Sequence, residues 1–322
     1  MHFSRDAFIA AALALAGSTA LAQGTAYVSS EKDNSLTLID LTTLTVKGTI
    51  ATCKRARHVQ LTPDAKIMVA CTDSNAADII DPATAKSLRR IPLGNEPEAF
   101  DIAPDGKTIY VSNEDEGEVS FVDAATGKTL KTVKVGKEPE GVKVSADGKT
   151  VYVTSEVASM VHVIDTASAR IVKNVKVGKR PRRMAITPDA KELWVTNELD
   201  ASVSIVSTVD HSVLGTIQFE VKGARAADIT PVGIQITRDG KRAFVALGRA
   251  NHVAFVDVAS RKVTHTVLVG RRPWNVMLDK AEARLLVVNG LRDDVTVIDV
   301  AGAKALKSIP VGRVPYGVVI VE

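Results

Sequence analysis

The stretch PEGVKVSADGKTVYVTSEVASMVHVIDTASARIVKNVKVG, residues 139–178, holds one complete structural unit. Gly141 to Val144 alternates and reads as a first strand, A. Ala146-Asp147-Gly148 reads as a tight turn, because Asp and Gly tolerate left-handed backbone angles. Thr150 to Thr154, rich in β-branched and aromatic residues, makes strand B. A polar loop, Glu156 to Ser159, leads to strand C, Val161 to Asp165. Thr166 to Ala169 turns the chain into strand D, Ile171 to Val177, which Gly178 ends. No amphipathic helix intervenes, so a βαβ fold is excluded.

The same unit recurs on both sides. Strand-B tetrapeptides begin at Tyr27, Met68, Tyr110, Tyr152, Trp194, Phe244 and Leu286, separated by 41, 42, 42, 42, 50 and 42 residues. Strand C repeats as Leu38-Ile39-Asp40 through Val297-Ile298-Asp299, and the A–B turn as Pro104-Asp105-Gly106 and its variants. A β-rich period near 42 marks a blade repeat. The first unit starts at strand B (Tyr27), and the sequence ends in an orphan strand A, Tyr316 to Val321. These observations predict an all-β, seven-bladed propeller of four-stranded antiparallel blades. Its C-terminal strand completes blade 1 and removes two exposed edges.

Ahead of the repeat, Ala7 to Gly17 is an apolar run, and Ala20-Leu21-Ala22 has the small residues a signal peptidase reads. The expectation is a signal peptide over 1–22 and one propeller domain over 23–322, periplasmic and without a membrane anchor. The alternative is a buried N-terminal helix. Cys53 and Cys71 fall at the same end of blade 2, and an even cysteine count in an exported chain makes them a disulfide candidate; two small buried hydrophobes is the other reading. The formal charge of +4, from 41 basic and 37 acidic residues, argues against nucleic acid as the main partner.

The Tyr-Val-Thr-Asn-like strand, the Val-Ile-Asp strand and the Val-Gly-x-x-Pro link resemble the family of bacterial propellers named for the tetrapeptide YVTN. The resemblance covers essentially all of residues 23–322. Within that family the chain looks like the group associated with pyrroloquinoline quinone-dependent alcohol catabolism. That resemblance implies a non-enzymatic periplasmic binding or scaffold protein. Its implied partners are a quinoprotein dehydrogenase, a cytochrome or a transporter component.

The B–C loops and D-to-A links share one face, which varies more than the face of tight turns. Eight extra residues fall in one D-to-A link there: Ile217 to Pro231 spans 14 steps, against six from Val175 to Pro181. Glu31, Glu114, Glu156 and Glu198 occupy one repeat position just after strand B, and Glu98 and Glu140 follow interblade prolines. Arg57, His58, Arg182 and Arg183 belong to a basic sector, and Trp274 and Tyr316 follow their prolines near the axial mouth. An acidic sector facing a basic one suits a zwitterionic or anionic small molecule, or a charged protein. The plainer reading is that these charges pair and hold the blades together.

Several chemistries lack their residues. There is no Cys-x-x-Cys-His for haem, no close-spaced zinc set and no Gly-x-Ser-x-Gly elbow. Asp123 to Lys128 resembles the start of a quinone-docking repeat, but Lys131 stands where that repeat has Trp. No cofactor is therefore expected, with free pyrroloquinoline quinone or Ca²⁺ the only ones left room. Two alternatives to a scaffold remain. One is a lactonase-like hydrolase using an axial acidic pocket; the other is a DNA-binding propeller.

Overall fold

The computed structural model describes residues 24–322. The expected signal segment at 1–22 lies outside the described residues. Seven four-stranded antiparallel sheets are arranged as blades, each running A to D from the axis outward. The C-terminal strand Pro315–Val321 pairs with Thr25–Ser30, with Thr25 opposite Val321 and Val28 opposite Val318. Blade 1 is thereby closed by the two ends of the repeat. Among the described residues no helix is long and apolar enough to cross a membrane.

The repeat motifs are explained by what they bond. The Ser or Thr of the strand-B tetrapeptide is a rivet between blades. Thr154 Oγ1 accepts the Gly141 N–H of its own blade (2.7 Å) and donates to the Arg182 carbonyl of the next (2.9 Å). Ser112 does the same to Ala99 and Glu140, and Thr196 to Arg183 and Val232. The strand-C Asp caps the C–D turn: Asp165 Oδ1 accepts the Ser168 N–H at 2.8 Å, and Asp123 the Thr126 N–H at 2.7 Å. Such local side-chain bonds fix turns that the backbone alone would leave open.

The link glycine has a steric cause. A Cβ at Gly94, Gly178 or Gly270 would lie 2.7, 2.6 or 2.5 Å from the side chain of the tetrapeptide's Asn113, Asn197 or Asn289. In blade 2 the matching positions hold Cys53 and Cys71, which are joined in a disulfide 18 residues apart in sequence. A covalent tie replaces a glycine–asparagine contact.

Between adjacent blades the B strands supply the core. Trp194 is fully buried and packs with Val203 and Ile205 of its own blade and Ala243, Val245 and Ala254 of the next. Removing such a side chain costs about 3–5 kcal/mol. The inserted link keeps Phe219, Val221 and Ile229 in that same cluster, so it is packed rather than loose.

Candidate functional site

The innermost strand is irregular at one place in every blade but the sixth. Pairing of Pro97–Ile102 with its neighbour shifts register between Pro97 and Ala99; Pro139–Val144, Pro181–Ile186, Ala56–Leu61 and Pro273–Leu278 shift at the same point. A bulge re-aims the extra residue. That residue is Arg57 in blade 2, Glu98 in blade 3, Glu140 in blade 4, Arg182 in blade 5, Trp274 in blade 7 and Tyr316 in blade 1. In blade 6 the strand is only Ile234–Ile236, and Val232 takes the place. One side chain per blade therefore meets near the axis.

The charges in this ring are interleaved rather than opposed. Two glutamate blades lie between two arginine blades. Arg57 pairs with Glu98, and Arg182 pairs with Glu156 and with Glu140 at 3.1 Å. Arg183 reaches Glu140 at 3.1 Å. The Tyr316 hydroxyl donates to Glu140 Oε1 (3.1 Å) and accepts from Arg57 Nη2 (3.1 Å) and from Arg183. Tyr316, Arg57 and Glu140 are all buried, so this brace closes the axial channel.

Above the brace is a pocket of about 240 Å³. Its acidic wall includes Glu98 and Glu114; its basic wall includes Arg180, Arg182 and Arg272, with Trp274 beside them. Trp274 packs against Gly290, where a Cβ would come within 2.2 Å of the indole, and the Arg272 guanidinium lies over the ring at 4.6 Å. Arg272 also pairs with Glu198 at 3.3 Å, and Arg180 bonds Glu156 at 2.6 Å. Glu31 is drawn off to Arg55 (3.5 Å) and Arg57 (3.7 Å). The four glutamates of the B–C loops thus have different employment, and half-buried Glu114 makes no ion pair among the described residues.

Protonation follows the neighbours. Burial pushes Glu98 up to about 9, helped by Glu140 and Glu114, although Arg57 opposes it. Burial and Glu140 raise Glu114. Glu156 rises to about 7, chiefly by burial. For Glu140 burial also acts upward, but Arg182, Arg183 and Arg57 outweigh it and hold the carboxyl well below its usual range. Burial raises Tyr316 to about 12, so it stays a hydroxyl. Glu96, Glu98 and Glu114 each bring one oxygen within 4.8 Å of the others, a spacing that suits an oxygen-liking cation such as Ca²⁺.

His58 and Arg183 were grouped on this face by their position in sequence. The structure places both on the wall of a separate cavity beneath the brace, with Arg183 reaching up to Tyr316. His58 packs edge-on to Phe100, and burial with Arg183 lowers it to about 3.

The family profile described as the choice-of-anchor I domain matches residues 114–285, just over half of the 322 residues, and the chain belongs to that family. No curated protein matches the sequence. Among solved structures, the Kuenenia stuttgartiensis hydrazine synthase is similar at 22% identity and a TM-score of 0.78, covering 86% of this chain and 93% of that one. The Pseudomonas aeruginosa periplasmic gluconolactonase PpgL is similar at 19% identity and a TM-score of 0.79, over 93% and 99%. A putative 6-phosphogluconolactonase from Bacteroides uniformis is similar at 15% identity and 0.77, over 93% and 99%. At these identities the likeness establishes the fold. The expectation of a non-enzymatic scaffold serving quinoprotein oxidation is corrected here. Several of the similar propellers are named as gluconolactonases or putative 6-phosphogluconolactonases.

Proposed function

We propose that the chain is a lactone hydrolase working in the pocket above the Tyr316 brace, on sugar-derived lactones. The observation that carries the reading is the pairing of walls: a proton-hungry carboxylate, Glu114, lines the same pocket as Arg272 and Trp274. Similar propellers that are named as gluconolactonases support it. A periplasmic setting is part of the proposal, supported by the Cys53–Cys71 bond, which suits an oxidising compartment.

Chemically, Glu114 takes a proton from water as the water oxygen bonds to the lactone carbonyl carbon. The negative charge then developing on the carbonyl oxygen faces Arg272 and the Trp274 indole N–H. Collapse breaks the ring C–O bond, and the proton held by Glu114 passes to the departing ring oxygen. Glu98, protonated at neutral pH, lies beside Glu114, with an oxygen of each within 4.8 Å, and positions it.

The experiment is hydrolysis of glucono-δ-lactone and its 6-phosphate by the purified protein, followed by pH-stat. A rate above spontaneous ring opening is expected for at least one. Rates equal to the uncatalysed background for both would overturn the proposal.

A further inference from the structure

Beneath the brace lies the larger cavity, about 460 Å³, lined by the inner strands of all seven blades and directed toward the A–B turns. Arg57, Tyr316, Glu140 and Arg183 close its upper end, so it is a blind pocket rather than a through channel. Pockets of this size that combine apolar walls with a few placed polar groups are typical small-molecule sites.

Its two walls differ. On blades 2, 3 and 4 one repeat position holds Gln60, Asp101 and Lys143. Gln60 Nε2 donates to Asp101 Oδ1 (2.8 Å), Lys143 Nζ pairs with Asp101 Oδ2 (2.9 Å), and the Val144 and Ile102 N–H groups also bond this carboxylate. Asp101 is thus satisfied. Lys143 has three N–H donors. Asp101 takes one of them, and the side chain remains 37% exposed. On blades 5, 6, 7 and 1 the wall is Ala185, Ile234, Ile236, Met277 and Ile320, all partly exposed. The polar residues on that side are engaged: Gln235 Oε1 accepts the Leu278 N–H at 2.6 Å and its Nε2 meets Met277 Sδ at 3.8 Å, Asn275 Oδ1 accepts the Val276 N–H, and Arg183 is held by Glu140 and Tyr316.

A cationic group with donors to spare faces an apolar surface across a closed-ended cavity. We propose that this lower cavity is a second binding site, for an amphiphilic monocarboxylate. The carboxylate meets Lys143, and the hydrocarbon body lies on Ile234, Ile236, Met277 and Ile320. The site is separate from the pocket proposed for hydrolysis and does not depend on that reading.

Calorimetric titration of the purified protein with octanoate, butyrate and octylamine tests it. Each methylene moved from water onto the apolar wall improves binding up to about fourfold. Octanoate is therefore expected to bind at least tenfold tighter than butyrate, and octylamine not to bind. Lys143→Met should weaken octanoate at least tenfold, and Ala185→Trp, which fills the cavity, should abolish binding. Glu114→Gln should bind octanoate as the wild type does. Circular dichroism checks that each variant is folded, and Met277→Trp replaces Ala185→Trp if the latter is not. No octanoate binding at millimolar concentration overturns the proposal. So does binding that survives both Lys143→Met and a cavity-filling variant, or octylamine binding as well as octanoate.

Discussion

Blades 3 and 4 place a glutamate at the same position, one residue past the link proline, and the two behave oppositely. Glu140 is surrounded by the Arg182 and Arg183 guanidiniums and the Tyr316 hydroxyl. Glu98 has Arg57 on one side and the carboxylates of Glu96 and Glu114 on the other. Both are buried, so solvent cannot even out the difference. Glu140 is a fixed anion that braces the ring, and Glu98 holds its proton to about 9 and supports Glu114. Equivalence in the repeat sets where a side chain points. What it does there is decided by the residues that the closed ring brings opposite.

The contrast is broken most strongly at Glu140. Glu140→Gln leaves buried guanidiniums short of a counter-charge, and chemical denaturation should record a loss of about 3–5 kcal/mol. A loss below ~1 kcal/mol would mean that Glu140 is not the anchor.

Trp274 holds the same ring position in blade 7, on the proposed substrate wall. Trp274→Ala should lower kcat/KM for lactone about tenfold, about 1.4 kcal/mol, while changing denaturation less than Glu140→Gln does. An unchanged kcat/KM would remove Trp274 from the binding wall.

Glu98→Gln should have the smallest effect near pH 4.5, under ~1 kcal/mol, because glutamine copies a carboxyl that carries its proton there in the folded and the unfolded chain alike. Its signature is pH dependence. Glu98 binds its proton more tightly in the folded chain than at its ordinary value of 4.5. Its contribution to stability is therefore complete below 4.5 and is lost as pH rises through about 9. Glu156 follows the same sign, through about 7. Glu140 has the reverse sign: its contribution is present above 4.5 and lost as pH falls below that. The melting temperature of Glu98→Gln minus that of wild type should grow from pH 5 to pH 9. A flat difference would contradict the assignment.

The fold was legible in residues 139–178 because three motifs recur in one register, and each turns out to make a bond the blade needs. The disulfide was legible as one of two readings, because Cys53 and Cys71 fall at the same end of blade 2; that they replace a glycine and an asparagine that touch in other blades is seen only in the structure. The site was legible as positions but not as partners. Tyr316 meets Arg57 across 259 residues, a contact that exists only once the ring has closed. The interleaving of arginine and glutamate blades was read as two opposed sectors, because linear order does not show which side chains a bulge sends to the axis. Gln60, Asp101 and Lys143 carried no signal at all, since a polar residue in an alternating strand looks the same facing solvent or facing a cavity.

The most direct test of the hydrolytic pocket compares kcat/KM for glucono-δ-lactone and its 6-phosphate in wild type, Glu114→Gln and Glu98→Gln, each confirmed folded. The account predicts a rate at least 100-fold lower for Glu114→Gln, the loss of a general base, and a rate within a few fold of wild type for Glu98→Gln. Full activity in Glu114→Gln, or no catalysed hydrolysis by the wild type, would contradict it.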